Sequence, residues 1–288
     1  MYPNDLFNIF GVGIDLYAIC FIVGVIACLI FTIIAMKKCG YSATARDTII
    51  VIGILSIMIG LFVAVLFQAF YDFINNPSAG FKISGSMTFI GGLIGGVISF
   101  IGIYFLYVYA INPHLKEKSF FKSDMNKGIW FLVRIAPISI TIAHGFGRIG
   151  CCFAGCCYGK ETTEWYGMWN EILHHKTVPV QLFEAIFLFV LSAVLIVLLF
   201  KFHSKDTMAI YLVSYGIWRF IIEYFRADYR GNFIPGLSPS QFWSIIMVVA
   251  GTAIFFIYRY FDKKIEEKEF NKFNYVENEE QNEKAGNE

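Results

Sequence analysis

Long runs of apolar residues alternate with short polar segments along most of this chain. Each run has about 20 residues, the length that an α-helix needs to cross the hydrocarbon core of a bilayer. The pattern therefore predicts an all-α polytopic membrane protein with about seven transmembrane helices. The seven runs cover residues 14–36, 48–70, 88–111, 129–147, 181–200, 207–225 and 240–261.

The composition agrees with this prediction. Of the 288 residues, 57% are hydrophobic and only 16% are charged. A globular domain with so few charged residues would not stay in solution, which favours an integral membrane protein. The net charge is +1 and basic residues form no concentrated patch, which argues against nucleic acid as a partner. Residues 263–288 are instead rich in Lys, Glu and Asn. They predict a disordered tail after a transmembrane domain that covers residues 1–262.

The Lys and Arg residues are distributed unequally between the two sets of loops. One set of alternating loops holds twelve of them and the opposite set holds six. Because cytoplasmic loops carry the excess of basic residues, the N-terminus is predicted outside and the C-terminus in the cytoplasm. The polar segment after the fourth run then faces the outer side of the membrane.

The end of the fourth run has an unusual sequence for a membrane span. Residues 144–159 contain one arginine, four cysteines and five glycines. Such a glycine-rich backbone turns tightly or lets a ligand approach closely, so we interpret this stretch as the floor of an active site. Arg148 is its cation, and His144 lies one helical turn earlier, where it is a candidate proton acceptor. A helix-packing hydrogen bond is the alternative role for His144.

A second group of ionisable residues lies in the sixth run. Tyr215, Arg219 and Glu223 recur at every fourth position and therefore share one helical face. Ionisable groups at membrane depth are costly unless they are paired or face a polar cavity. Two guanidinium groups from different helices, Arg148 and Arg219, would make a clamp for the phosphate of a lipid headgroup. A structural salt bridge of Arg219 with Glu223 and interfacial snorkelling of Arg148 are the alternatives.

The four cysteines of this stretch admit three interpretations, which the sequence does not rank. They could form disulfides on an oxidising face, bind Zn(II), although the spacing is not the usual CxxC pair, or provide one reactive thiol. We predict no bound metal or other cofactor. Further candidate substrate contacts are the glycines that begin the third run and two polar residues that begin the fifth. The predicted substrate-binding residues are Arg148, Gly91, Gly92, Gln181, Glu184, Cys151 and Cys156.

Several sequence blocks in the same order resemble one family. The segment from Gly147 to Gly159 resembles the signature of the prolipoprotein diacylglyceryl transferases. Further support comes from residues 87–95, 181–185, 215–226 and 237–241. The resemblance implies an enzyme of the bacterial cytoplasmic membrane with its active site toward the outer face. Its implied partners are phosphatidylglycerol, the membrane lipid that serves as donor, and the lipobox-containing signal peptide of a prolipoprotein.

The resemblance also implies roles for individual residues. Transfer of the diacylglyceryl group to the lipobox cysteine would release glycerol 1-phosphate, with Arg148 and Arg219 on the phosphate and Tyr215 and Glu223 in support. The chain departs from the family pattern at three places that bear on the site. Ile90 stands where the family has a histidine proposed as the base, and Cys151 and Cys156 replace an Asn and a Glu. His144 is the substitute candidate for the base.

Two alternatives to this function remain open. One is a related enzyme that uses the same lipid donor with a different acceptor. The other is a non-enzymatic metal or redox module built on Cys151, Cys152, Cys156 and Cys157.

Overall fold

The computed structural model describes residues 6–9, 12–83, 88–115, 129–227 and 236–261. Within these residues the chain forms seven α-helices, and the prediction of an all-α polytopic membrane protein is confirmed. Residues 262–288, which include the predicted tail, lie outside the described residues. The helices are α1 (Leu16–Lys38), α2 (Ala43–Asn75), α3 (Phe89–Phe105), α4 (Ile129–Ala154), α5 (Val180–Phe200), α6 (Thr207–Ile222) and α7 (Pro239–Phe261).

Two short hairpins accompany the helices and were not predicted. Strand β1 (Phe7–Ile9) pairs antiparallel with β2 (Val12–Ile14), before α1. Strand β3 (Met168–Asn170) pairs antiparallel with β4 (His175–Thr177), between α4 and α5. Three-residue strands are too short to leave an alternating pattern in the sequence, which explains why the pattern missed them.

The surface of the helices is apolar and part of the interior is polar. Ile98, Val249 and Phe256 are each more than 60% exposed, whereas Gln181 and Glu184 are fully buried. Apolar side chains on the outside and polar side chains inside are the arrangement expected of a protein whose surface faces lipid. Six described helices are long and apolar enough to cross a membrane. Helix α6 has 16 residues, which is fewer than the roughly 20 that a transmembrane helix needs.

The helices belong to two packing units. The first contains α1 up to Ala35 together with α4, α5, α6 and α7, and the second contains α2 and α3. In the second unit, α2 and α3 pack closely because glycines of α3 face α2. A Cβ atom at Gly91 would lie 2.6 Å from Cβ of Phe67, and one at Gly92 would lie 3.2 Å from Cβ of Ala64. These contacts agree with helix packing, and a role of both glycines in substrate binding stays a prediction.

In the first unit, polar and aromatic contacts hold the helices together. The hydroxyl groups of Thr32 on α1 and Ser139 on α4 share a hydrogen bond of 2.9 Å. Between α5 and α6, the rings of Phe187 and Trp218 stack with their centroids 4.5 Å apart. Helices α4 and α5 contact through Phe146 and Phe189, whose ring centroids are 5.2 Å apart.

The predicted end of the fourth helix was wrong. Helix α4 continues past Gly147 to Ala154, so Arg148, Cys151 and Cys152 are helical rather than part of a loop. The helix ends at Gly155, whose φ of +68° is the left-handed conformation that commonly terminates helices. Isolated glycines lower helix stability but do not stop a helix that is packed on its neighbours. Only the last few residues of the cysteine-rich stretch form the predicted turn.

Other helix boundaries also differ from the prediction, and those of α2 and α6 have clear local causes or consequences. Helix α2 begins five residues earlier, because the Ser42 hydroxyl accepts a hydrogen bond from the backbone N–H of Ala45 at 3.2 Å and caps the helix. Helix α6 ends at Ile222, and a 3₁₀ turn, Glu223–Phe225, follows it.

Candidate active site

Glu184 lies at the centre of a polar cluster inside the first unit. Its side chain on α5 is fully buried. Arg148 on α4 places Nη2 3.2 Å from Oε1 of Glu184, and the hydroxyl of Tyr215 on α6 donates to the same oxygen at 2.8 Å. Three helices therefore meet on a single carboxylate.

His144 contacts the guanidinium of Arg148 from one turn earlier on α4. Arg148 Nε donates a hydrogen bond of 3.2 Å to Nε2 of His144. Because a guanidinium only donates, Nε2 must be an acceptor, which leaves the imidazole neutral. The lone pair that a general base would use is thus engaged by Arg148, so the predicted proton-acceptor role requires Arg148 to release it.

Arg219 lies on α6, between Glu223 and the beginning of α7. Its Nη2 atom forms an ion pair of 2.9 Å with Oε2 of Glu223 and donates a hydrogen bond of 2.8 Å to the Ser240 hydroxyl. Its other terminal nitrogen, Nη1, is buried and has no hydrogen-bond partner among the described residues. Glu223 also accepts a 2.9 Å hydrogen bond from the Ser238 hydroxyl, and Arg226 Nε lies 3.7 Å from its Oε2.

These side chains form a buried group of opposite charges. We call Arg148, Arg219, Arg226, Glu184 and Glu223 the arginine cluster. Their side chains are at most 12% exposed. Arg148 and Arg219 both interact electrostatically with Glu184. A buried donor without a hydrogen-bond partner is costly, so the Nη1 atom of Arg219 makes this environment suited to an anion.

Backbone pairing holds the segments that follow α4 and α6 next to each other. The N–H of Gly159 donates to the carbonyl of Val178 at 3.0 Å, and that of Lys160 donates to the carbonyl of Phe225 at 2.9 Å. A Cβ atom at residue 159 would lie 2.6 Å from the Val178 oxygen, so only glycine allows this approach. The pairing therefore holds together the two segments that follow α4 and α6, the helices that carry Arg148 and Arg219.

The turn after α4 brings three thiols together. The Sγ atoms of Cys151, Cys156 and Cys157 all lie within 4.8 Å of one another. Hydrogen bonding to Cys151 lowers the pKa of Cys156, but hydrogen bonding to Cys157 and partial burial outweigh it and raise the pKa to about 11. Cys156 is therefore a thiol at neutral pH, which does not favour it as a nucleophile.

The structure brings most of the predicted site residues together. His144, Arg148, Glu184 and Tyr215 form one connected set of contacts, and Arg219 and Glu223 form an ion pair that interacts electrostatically with it. Gln181 lies next to them in sequence but bonds elsewhere, because its side-chain amide donates to the carbonyl of Cys156. Gly91 and Gly92 belong to the other unit.

Ser238 and Ser240 were not predicted as site residues. They precede and begin α7, and their hydroxyls bond Glu223 and Arg219. The sequence offered one signal, a Ser-Pro-Ser-Gln segment directly before an apolar run. Such residues are typical helix caps, and their contact with the sixth helix depends on tertiary structure.

Comparison with known proteins identifies the family. The sequence model described as prolipoprotein diacylglyceryl transferase matches residues 4–257. A phosphatidylglycerol-prolipoprotein diacylglyceryl transferase of Clostridium tetani is 32% identical over 265 residues, which cover 88% of this chain and 97% of that protein. The second enzyme of this name in Clostridium perfringens is 30% identical over 258 residues, with 86% and 92% covered. The chain therefore belongs to the prolipoprotein diacylglyceryl transferase family.

Proposed function

We propose that the protein transfers a diacylglyceryl group from phosphatidylglycerol to the lipobox cysteine of exported prolipoproteins and releases glycerol 1-phosphate. The relatives that carry the corresponding name match this chain over most of both lengths, which supports the transferase activity and both substrate classes.

The buried Nη1 atom of Arg219, which has no hydrogen-bond partner among the described residues, is the observation that supports the proposal most directly. A phosphodiester brings oxygen acceptors and one negative charge to the environment of Arg148 and Arg219, which both interact electrostatically with Glu184. Guanidinium groups bind phosphate oxygens through paired N–H donors, and Nη1 of Arg219 is available for this purpose. The lipid phosphate would then lie between Arg148 and Arg219, with Glu184 and Glu223 holding their orientation.

The proposed reaction is a displacement at the glyceryl carbon that bears the phosphate. The acceptor thiol loses its proton to solvent, and the sulfur forms a bond to that carbon while the carbon–oxygen bond to phosphate breaks. The electron pair of the broken bond remains on the phosphate oxygen, so negative charge grows next to the arginines. Donors fixed in a buried site stabilise such charge more than water does.

We also propose that the site faces the outer side of the cytoplasmic membrane. The excess of Lys and Arg in the opposite set of loops supports this orientation. An exported prolipoprotein would present its lipobox at that side.

The test is transfer by the purified protein in detergent. Phosphatidylglycerol labelled in its acyl chains should label a lipobox peptide, whereas a peptide with Ser in place of the Cys should stay unlabelled. Phosphatidylethanolamine with the same acyl chains is the control donor. Consumption of phosphatidylglycerol without any labelled peptide would show a different acceptor, and no consumption would contradict the proposal.

A further inference from the structure

Three cysteines at the end of α4 form a cluster that the proposed transfer reaction does not use. Cys151 lies in the last turn of the helix, and Cys156 and Cys157 lie in the turn that follows. We call these three residues the thiol cluster. Cys152, next to Cys151 in the sequence, is buried and does not belong to the cluster.

The spacing of the sulfur atoms suits a single metal ion. Each Sγ atom of the thiol cluster lies within 4.8 Å of the other two. A Zn–S bond of about 2.3 Å places thiolate ligands of one ion roughly 4 Å from one another. Small rotations of the side chains would therefore bring all three sulfur atoms to bonding distance.

The backbone of the turn is held in the conformation that makes the cluster. Both Gly155 and Cys157 have left-handed backbone, with φ of +68° and +59°, and this fold returns the chain toward Cys151. Two buried amides fix the turn from other elements. Asn170 of β3 donates to the carbonyl of Gly155 at 3.1 Å, and Gln181 of α5 donates to the carbonyl of Cys156. A non-glycine residue in left-handed backbone carries a conformational cost, which the surrounding structure must offset.

The surrounding charge also suits a thiolate site. Three thiolates with one divalent ion carry a net charge of −1. Arg148 lies one helical turn before Cys151 and interacts electrostatically with Cys151 and Cys157. A guanidinium at this position, which also contacts Glu184, lowers the electrostatic cost of thiolates here.

We propose that Cys151, Cys156 and Cys157 bind one thiophilic metal ion through three thiolates. Soft sulfur ligands select Zn(II) and Cu(I) among the common metal ions. Water or an external thiol completes the coordination of Zn(II), whereas Cu(I) is satisfied by three sulfur atoms. This inference differs from the expectation, drawn from the sequence, that no metal is bound.

Metal binding by the full-length protein tests this proposal independently of the transfer reaction. The protein is purified in detergent under anaerobic, reducing conditions, stripped of metal, and titrated with Zn(II) and, in a separate arm, with Cu(I). Titration with Co(II) reports the thiolates directly, because coordinated sulfur produces charge-transfer absorption in the near ultraviolet. We expect one ion per chain and a Co(II) spectrum with this absorption.

Single substitutions identify the ligands. Cys156→Ser changes an exposed side chain and should leave the fold intact. It should weaken metal binding by more than about tenfold, because replacing even a partner of a metal ligand typically costs that much. Cys151→Ser and Cys157→Ser should do the same, while Cys152→Ser should bind as the unchanged protein does. Equal binding by the unchanged protein and Cys156→Ser would overturn the proposal, as would equal loss in Cys152→Ser. A disulfide bond between two of these three cysteines in the anaerobically purified protein would also overturn the proposal.

Discussion

Arg148 and Tyr215 contact the same oxygen of Glu184 from two different helices. The guanidinium lies 3.2 Å from Oε1, and the Tyr215 hydroxyl donates to that atom at 2.8 Å. Glu184 itself is fully buried, so its charge depends on these partners. The carboxylate therefore acts as an anchor that orients the two side chains at the proposed phosphate site.

Removing the Tyr215 hydroxyl should weaken this anchor. Tyr215→Phe loses a hydrogen bond to a buried charged group, which costs about 1.5–3 kcal/mol of stability. We expect a lower midpoint of thermal unfolding in detergent. Tyr211→Phe is the matched control, since its ring stacks on that of Tyr215 and its hydroxyl donates no hydrogen bond to Glu184 within the described residues. An equal loss of stability in both variants would contradict the anchoring role.

Substitution of His144 separates a positioning role from a base role. Glutamine can accept the hydrogen bond from Arg148 Nε but cannot take up a proton at neutral pH. If His144 positions Arg148, His144→Gln should retain much more transfer activity than His144→Ala. A general base contributes roughly 10²–10⁴-fold, so a loss of that size in His144→Gln, with a changed pH profile, would instead support the base role.

The extent to which the sequence predicted the site depends on the kind of contact. Regular spacing along one helix placed Tyr215, Arg219 and Glu223 on one face, because helical periodicity is local. The pairing of Arg148 with Glu184 joins different helices, and the sequence predicted both residues as substrate contacts but not this ion pair. The three-thiol cluster depends on left-handed backbone at Cys157, which no sequence pattern indicates.

The same distinction explains the errors in the fold. The apolar runs predicted the position of each described α-helix, because a helix that faces lipid needs apolar side chains. The end of α4 was placed too early, because the glycines and Arg148 suggested a loop, whereas packing kept the helix intact to Ala154.

The Ser240 hydroxyl should matter for activity through Arg219. Ser240→Ala removes the 2.8 Å hydrogen bond that fixes the guanidinium, and a loss of about 1.5 kcal/mol corresponds to roughly tenfold in rate. Initial rates of transfer measure this effect. Ser244→Ala is the control, because Ser244 lies one turn later on α7 and its hydroxyl bonds only a backbone carbonyl in the described contacts. Comparable rates for Ser240→Ala and the unchanged protein would argue against this function of Ser240.

Glycerol 1-phosphate should bind the arginine cluster as the product of the reaction. A ligand that binds only the folded state raises the unfolding midpoint, and the rise grows as its concentration exceeds the dissociation constant. We expect millimolar glycerol 1-phosphate to stabilise the protein and glycerol to have no such effect. Arg219→Ala should abolish the stabilisation, since it removes the buried Nη1 donor. A stabilisation that survives in this variant would place the phosphate elsewhere.

The most direct test of the account is transfer activity after removal of each arginine. Arg148→Ala and Arg219→Ala should each reduce transfer of the labelled diacylglyceryl group to a lipobox peptide by at least roughly 10²–10³-fold, the loss typical of one donor to developing charge. Arg259→Ala is the matched control, because Arg259 is exposed and pairs with Asp206 rather than with the cluster. The account predicts near-normal transfer in the control and almost none in the other two variants. Full transfer by either Arg148→Ala or Arg219→Ala would contradict it.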